Sequence, residues 1–293
     1  GSLASGLIAH YEMDDKEIGA VAAQAQDDSG NQNHGEFIGF DNLVSNGFSN
    51  DVPVNIGTGT SLKFDGTDDY VNFNAGTIGS SILSGTKAAT ITAWIKATAL
   101  DTAKYDNVVF VSRVGPATNA NIWLNIRGDG VDSGKVLIGG RSQNADSFQE
   151  KTSATAITSN TWTHVTGILD YENDEINLAI DGNLEATTPV IFGSTTYIHS
   201  GTPTQPDSIS STNYVATYPF TGLIKDVRIY NRVLTLPEIS FIYNGSGLDP
   251  GTSNLQALWA FDDSALKDSS GNDNHGIGIG GDSLKYTEGV LRR

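Results

Sequence analysis

The stretch 161-TWTHVTGILDYENDEINLAIDG-182 decides the fold. Both ends are rich in Thr, Val, Ile and Leu, which suit a pleated, half-buried surface. Between them Tyr171-Glu172-Asn173-Asp174 is turn chemistry, so the segment reads as an antiparallel hairpin. The same pattern recurs in 89-ATITAWIKA-97, 107-NVVFVSR-113, 120-ANIWLNIRG-128, 134-GKVLIGGRS-142 and 222-GLIKDVRIYN-231. Alternation is explicit in the first of these. Ile91, Ala93 and Ile95 point one way, and Thr92, Trp94 and Lys96 the other. Many short strands parted by turns, with 33 glycines, predict an all-β chain: a two-sheet antiparallel jelly-roll sandwich.

One helix interrupts the strands. Thr235 followed by Glu238 is a capping box, and Pro237 sits in the first turn, where its missing N–H costs little. Ile239, Ile242 and Tyr243 then fall on one face, so a short C-terminal helix is predicted over 236–243. Segments 40–60 and 193–221 carry no clear period and read as long loops. Trp94 and Trp162 sit in strand patterns and are expected in the core.

Composition removes whole classes of function. The 293 residues hold 17 Lys+Arg and 34 Asp+Glu, a net charge of −17, and no basic patch. Nucleic acid is therefore not the expected partner. No apolar run reaches 18 residues, so no membrane insertion is expected. Without cysteine there is no disulfide, thiolate metal site or Cys nucleophile.

An internal repeat sets the domain limits. The opening 7-LIAHYEMDD-15 matches 255-LQALWAFDD-263, and 27-DDSGNQNHG-35 matches 268-DSSGNDNHG-276. Residues 1–5 are read as a tag scar or leader, 6–245 as the domain, and 246–253 as a linker. Residues 254–293 are read as a partial second repeat, its opening strand and loop only. Flanking domains of a larger chain are expected.

The ordered motifs resemble a family. The opening strand with Tyr11 and Asp14, the loop 27–35, 61-SLKFDGTDDYVNF-73, 90-TITAWIKA-97, 161-TWTHVTGILD-170, 178-LAIDG-182 and 223-LIKDVRIYNRVLTLPEI-239 follow its order. They are similar to bacterial laminin-G-like domains of the concanavalin A-like lectin/glucanase superfamily. The resemblance covers about 6–245. It implies a secreted or cell-surface location, a carbohydrate partner, and a structural calcium that ties the opening segment to the final strand.

Three chemistries are compatible with this fold: glycan hydrolysis, calcium binding and glycan binding. Glycanases of this fold carry Glu-x-Asp-x-Glu on one strand, so that both Glu flank the scissile bond. The nearest match, Glu172-Asn173-Asp174-Glu175, has the wrong spacing and lies in a turn, so no catalytic residue is expected. His164 lies in a strand and reads as a structural histidine. For calcium, the loop offers oxygen ligands from Asp27, Asn31 and Asn33. The resemblance adds Asp226. Asp65, Asp68 and Asp69 read first as a polar hairpin turn and second as another acidic site.

For glycan binding, 121-NIWLNIR-127 puts Ile122, Leu124 and Ile126 toward the core, and Asn121, Trp123, Asn125 and Arg127 on the outer face. Trp123 offers a flat apolar surface to a sugar ring, and the Asn and Arg side chains offer donors to hydroxyls. Arg141, with Arg113, stands at the end of a neighbouring strand. Five Lys/Arg between 113 and 151 admit an anionic glycan. The competing reading has Trp123 covered by a loop such as 193–221. The sequence therefore predicts a carbohydrate-binding module. An adhesion or spacer domain and a polysaccharide-degrading enzyme are the alternatives.

Overall fold

The computed structural model describes residues 5–11, 13, 24–25, 29, 31, 33–39, 48–57, 59–73, 83–100, 105–111, 120–199, 207–210 and 218–244. The strands are β1 Leu7–Tyr11, β2 Gln24–Ala25, β3 Gly35–Ile38, β4 Phe48–Ser49, β5 Ser61–Asp65, β6 Tyr70–Phe73, β7 Ala88–Ala97, β8 Tyr105–Val111 and β9 Asn121–Arg127. They continue with β10 Lys135–Arg141, β11 Gln149–Ala156, β12 Thr163–Asp170, β13 Glu175–Ile180, β14 Asn183–Leu184, β15 Thr188–Pro189, β16 Asp207–Ile209 and β17 Thr221–Tyr230, before helix α1 Leu236–Asn244. Residues Gly6–Leu248 form one unit. The expected linker and partial second repeat lie outside the described residues.

The strands make two antiparallel sheets. The first runs β14-β13-β12-β7-β17-β5-β4, with β1 on β17 and β15 on β13. The second runs β11-β10-β9-β8-β16-β6-β3-β2. This is the two-layer jelly-roll sandwich expected from the alternation. Ala89, Ile91, Ala93 and Ile95 of β7 point between the sheets, where they join Ile122, Leu124 and Ile126 of β9 and Val136 and Ile138 of β10. At Gly167 the sheets approach so closely that a Cβ would meet Ile138 at 2.6 Å. A side chain there would force the layers apart.

Three segments differ from their sequence reading. Within the 40–60 segment, β4 pairs with β5 in the first sheet. The 193–221 loop contributes β16, which pairs with both β8 and β6 inside the second sheet. Its three residues Asp-Ser-Ile are too few and too polar to show a period, yet all are buried. Asp65–Asp69 is not a hairpin turn, because β5 belongs to the first sheet and β6 to the second. It is the corner at which the chain changes sheets, held by Asp65 N–H donating to Asp69 Oδ2 (2.9 Å) and Thr67 N–H to Asp65 Oδ1 (2.7 Å). The three carboxylates of this corner have oxygens within 4.8 Å of one another.

Helix α1 has the expected cap. Glu238 Oε2 accepts from the Thr235 N–H (2.8 Å) and hydroxyl (2.9 Å), and Arg232 clamps both Glu238 oxygens at 2.9–3.0 Å. Ile239 and Ile242 are fully buried. Tyr243 stacks on Trp94, with ring centroids 5.5 Å apart and planes 22° apart. Trp94 is thus buried, but on the outer side of the first sheet beneath α1 and not between the sheets. Trp162 corrects the core expectation outright. It precedes β12, is only half-buried, and donates Nε1–H to Asp51 Oδ1 at 2.8 Å.

His164 lies under the same helix, 5.2 Å from the Trp94 ring, and neither imidazole nitrogen has a hydrogen-bond partner. Burial pulls its pKa down from 6.5 to about 4. Below pH 6.5 the unfolded chain takes up a proton that the folded chain refuses until about pH 4. Stability therefore falls as pH falls through that window, by about 2 kcal/mol from pH 7 to pH 5. Urea unfolding at both pH values checks this. In His164→Phe the difference between the two should shrink by about that amount, and an unchanged difference would refute the assignment.

Candidate functional site

β9 builds the site. Its inward set Ile122, Leu124 and Ile126 is fully buried in the core, which fixes Asn121, Trp123, Asn125 and Arg127 on the outer face of the second sheet. Register then decides who meets Trp123. Across β8, Tyr105 faces Arg127 and Asn107 faces Asn125. Across β10, Gly139 faces Trp123 and Arg141 faces Asn121. Gly139 is required here: a Cβ on it would come within 2.8 Å of the Phe148 ring, which occupies that space.

The result is an aromatic cluster that the sequence did not reveal. Trp123 packs edge-on against Tyr105 (6.0 Å) and Phe148 (5.7 Å), and Tyr105 against Tyr218 (5.9 Å). All four rings are half-buried, so Trp123 is neither a core residue nor a fully open platform. Arg127 lies 5.9 Å from the Tyr105 centroid and Arg141 4.8 Å from that of Phe148. Tyr105 lies just before the run read as a strand, and Phe148 just before β11, whose sequence QEKTSATA is almost wholly polar. Their convergence depends on strand pairing, which one sequence does not display.

The polar members behave differently from expectation. Asn121 and Asn125 do share the face with Trp123, but both have no exposed surface. They floor the cluster and do not stand open to a ligand. Asn121 Oδ1 takes a long contact from Arg141 Nη1 (3.5 Å), and neither side-chain polar atom of Asn125 has a hydrogen-bond partner. Arg127 Nη2 donates to Glu150 Oε1 at 2.9 Å, and its Nη1 lies 3.9 Å from Asp132. Arg141 Nε donates to the Asp146 carbonyl at 3.0 Å. Arg113 lies outside the described residues.

The described members of the expected calcium set have protein partners. The Asn31 side-chain N–H donates to the carbonyls of Leu7 (2.9 Å) and Ile8 (3.1 Å), and that of Asn33 to Ile8 (2.9 Å). These amides tie the loop to β1. Asp27 lies outside the described residues. Asp226 is corrected: Arg228 grips it through Nε and Nη2, both at 3.0 Å, and His10 Nε2 lies 2.5 Å from Oδ1. Positive charge at this carboxylate is already supplied by protein, so its donor set does not fit calcium. Burial pushes the Asp226 pKa up, but Arg228 and His10 outweigh it and hold the carboxyl well below the usual range.

Three acids in and beside the acidic turn have protein partners. Asp170 accepts from Asn173 N–H (3.1 Å) and Nδ2 (2.8 Å), Asp174 accepts from Phe192 N–H (2.9 Å), and Glu172 pairs with Lys87.

A family model described as the concanavalin A-like lectin/glucanases superfamily matches residues 65–240. No curated protein matches the sequence significantly. Among solved structures, the chain is similar to domain 4 of AbnA, an extracellular arabinanase from Geobacillus stearothermophilus, in complex with arabinotriose. That match has 19% identity and a TM-score of 0.53, and covers 82% of this chain and 98% of that one. It is also similar to the binding domain of Paraclostridial Mosquitocidal Protein 1 (16% identity, TM-score 0.53, 89% and 56% covered). A third match is botulinum neurotoxin type C, whose cell entry depends on two ganglioside molecules (16%, 0.51, 82% and 51%). The chain spans about half of the two toxin structures. At these identities the likeness concerns the fold. Among the described residues, no helix is long and apolar enough to cross a membrane.

Proposed function

The chain belongs to the concanavalin A-like lectin/glucanases superfamily, and from that premise we propose that it is a non-catalytic carbohydrate-binding module of a secreted or cell-surface multidomain protein. The fold hosts binding and catalysis alike, so the site must decide. The observation that carries the reading is the half-buried Tyr105–Trp123–Phe148 cluster with the Arg127–Glu150 pair beside it. Ring faces attract the C–H face of a sugar, while the guanidinium and carboxylate supply a donor and an acceptor to its hydroxyls. Asp174 and Glu172 of the 172–175 turn have protein partners, which supports the non-catalytic reading. The arabinotriose complex of the similar arabinanase domain is a precedent for sugar binding on this fold.

The test is retention of the protein on immobilised plant, algal and bacterial polysaccharides, with reducing and unsaturated ends assayed in the same wells. Retention without new ends is expected. New ends would make the protein an enzyme. No retention on any glycan would leave an adhesion or spacer role.

A further inference from the structure

Beyond carbohydrate binding in general, the charges around Trp123 bear on which carbohydrates enter. Three cations face or flank the cluster: Arg127, Arg141 and Lys135. Arg127 is neutralised by Glu150 at 2.9 Å, with Asp132 at 3.9 Å. Lys135 Nζ pairs with Asp132 at 2.9 Å. Arg141 is committed to the Asp146 carbonyl at 3.0 Å and lays its guanidinium over Phe148. Asp146 itself contributes a carboxylate that accepts from Ser142 Oγ (2.7 Å) and Gly193 N–H (2.8 Å). Of the basic residues that look, in sequence, like an anion site, Arg127 and Lys135 are paired with acids, while Arg141 donates to a carbonyl and Lys151 to the Ala186 carbonyl and the Thr188 hydroxyl.

We infer that this face selects neutral glycans and rejects anionic ones; the inference rests on the carbohydrate reading of the same site. An incoming carboxylate or sulfate would meet Glu150 next to Arg127 and would have to displace it. The chain's net charge of −17 opposes a polyanion at longer range as well. A neutral sugar faces neither penalty. Neighbouring hydroxyls can accept from Arg127 and donate to Glu150 without breaking the ion pair, with the ring against Tyr105 and Trp123. Such contacts are between a dipole and a compensated pair, so affinity should depend little on salt. Binding of a polyanion would instead fall steeply with it.

The experiment uses the whole chain on debranched arabinan, galactan and mixed-linkage β-glucan against polygalacturonate, alginate and heparin, at 50 and 500 mM NaCl. The expected result is retention on at least one neutral polymer, changed less than about twofold by salt, and none on the anionic set. Glu150→Gln, at a side chain 40% exposed, uncovers Arg127. This variant should lose about tenfold in affinity for the neutral polymer, a loss of about 1.4 kcal/mol, and gain salt-sensitive retention on polygalacturonate. Wild-type retention on an anionic polymer that weakens with salt overturns the inference while leaving carbohydrate binding intact. A Glu150→Gln variant that folds and binds as wild type also overturns it. No retention on either class removes the carbohydrate reading and the inference with it.

Discussion

Trp123→Ala should abolish most glycan affinity while leaving the domain folded. Trp123 is the hub of the outer cluster, in edge contact with both Tyr105 and Phe148. Truncating an aromatic anchor at the centre of a site costs about 2–4 kcal/mol, roughly 30- to 1,000-fold in affinity. The fold should tolerate the change because Trp123 stands outside the inter-sheet core, which Ile122, Leu124 and Ile126 fill from the other side of β9. Losing two edge contacts is expected to lower stability by about 1–2 kcal/mol. Calorimetric titration with the retained oligosaccharide reads the first number and urea unfolding the second. Trp162→Ala is the control, since that ring bonds Asp51 at the border of the other sheet. Equal affinity loss in both variants would point to general loosening and not to a site.

Asp226→Asn should produce the largest loss of stability. Asp226 sits at the bulge of β17 where register shifts between Lys225 and Arg228, and its φ is +53°. Asn tolerates that left-handed conformation as Asp does, so the substitution isolates charge from backbone strain. It leaves Arg228, whose side chain is only 3% exposed, without its anion. Breaking a buried pair by removing one partner costs about 3–5 kcal/mol. For a domain of this size that lowers Tm by roughly 6–20 °C. Arg228→Met together with Asp226→Asn should recover part of the loss, because no charge then remains buried beside His10. A single variant that melts like wild type would show that the network contributes nothing net.

The sandwich was legible because β7, β9, β12 and β17 each bury one face, so a period of two is written in their residues. The helix was legible for an equally local reason: Thr235 and Glu238 are three residues apart and bond directly. Placing Trp123 on the outer face of β9 needed only alternation. What surrounds it did not follow, because Tyr105, Phe148 and Glu150 reach it across four strands whose register is a tertiary property. Nor did burial follow: Asn121 and Asn125 alternate correctly yet are fully buried. Asp226 enters as a ligand only through the family resemblance, and its partners in the structure, His10 and Arg228, lie 216 and 2 positions away.

The central claim is that glycan binds on the outer face of the second sheet, at Trp123. Tryptophan fluorescence during titration with the retained oligosaccharide tests it directly, in the intact protein, in Trp123→Phe and in Trp162→Phe. The account predicts a saturable change in the intact protein and in Trp162→Phe, absent in Trp123→Phe. A saturable change that persists in Trp123→Phe would contradict it and move the site elsewhere on the sandwich.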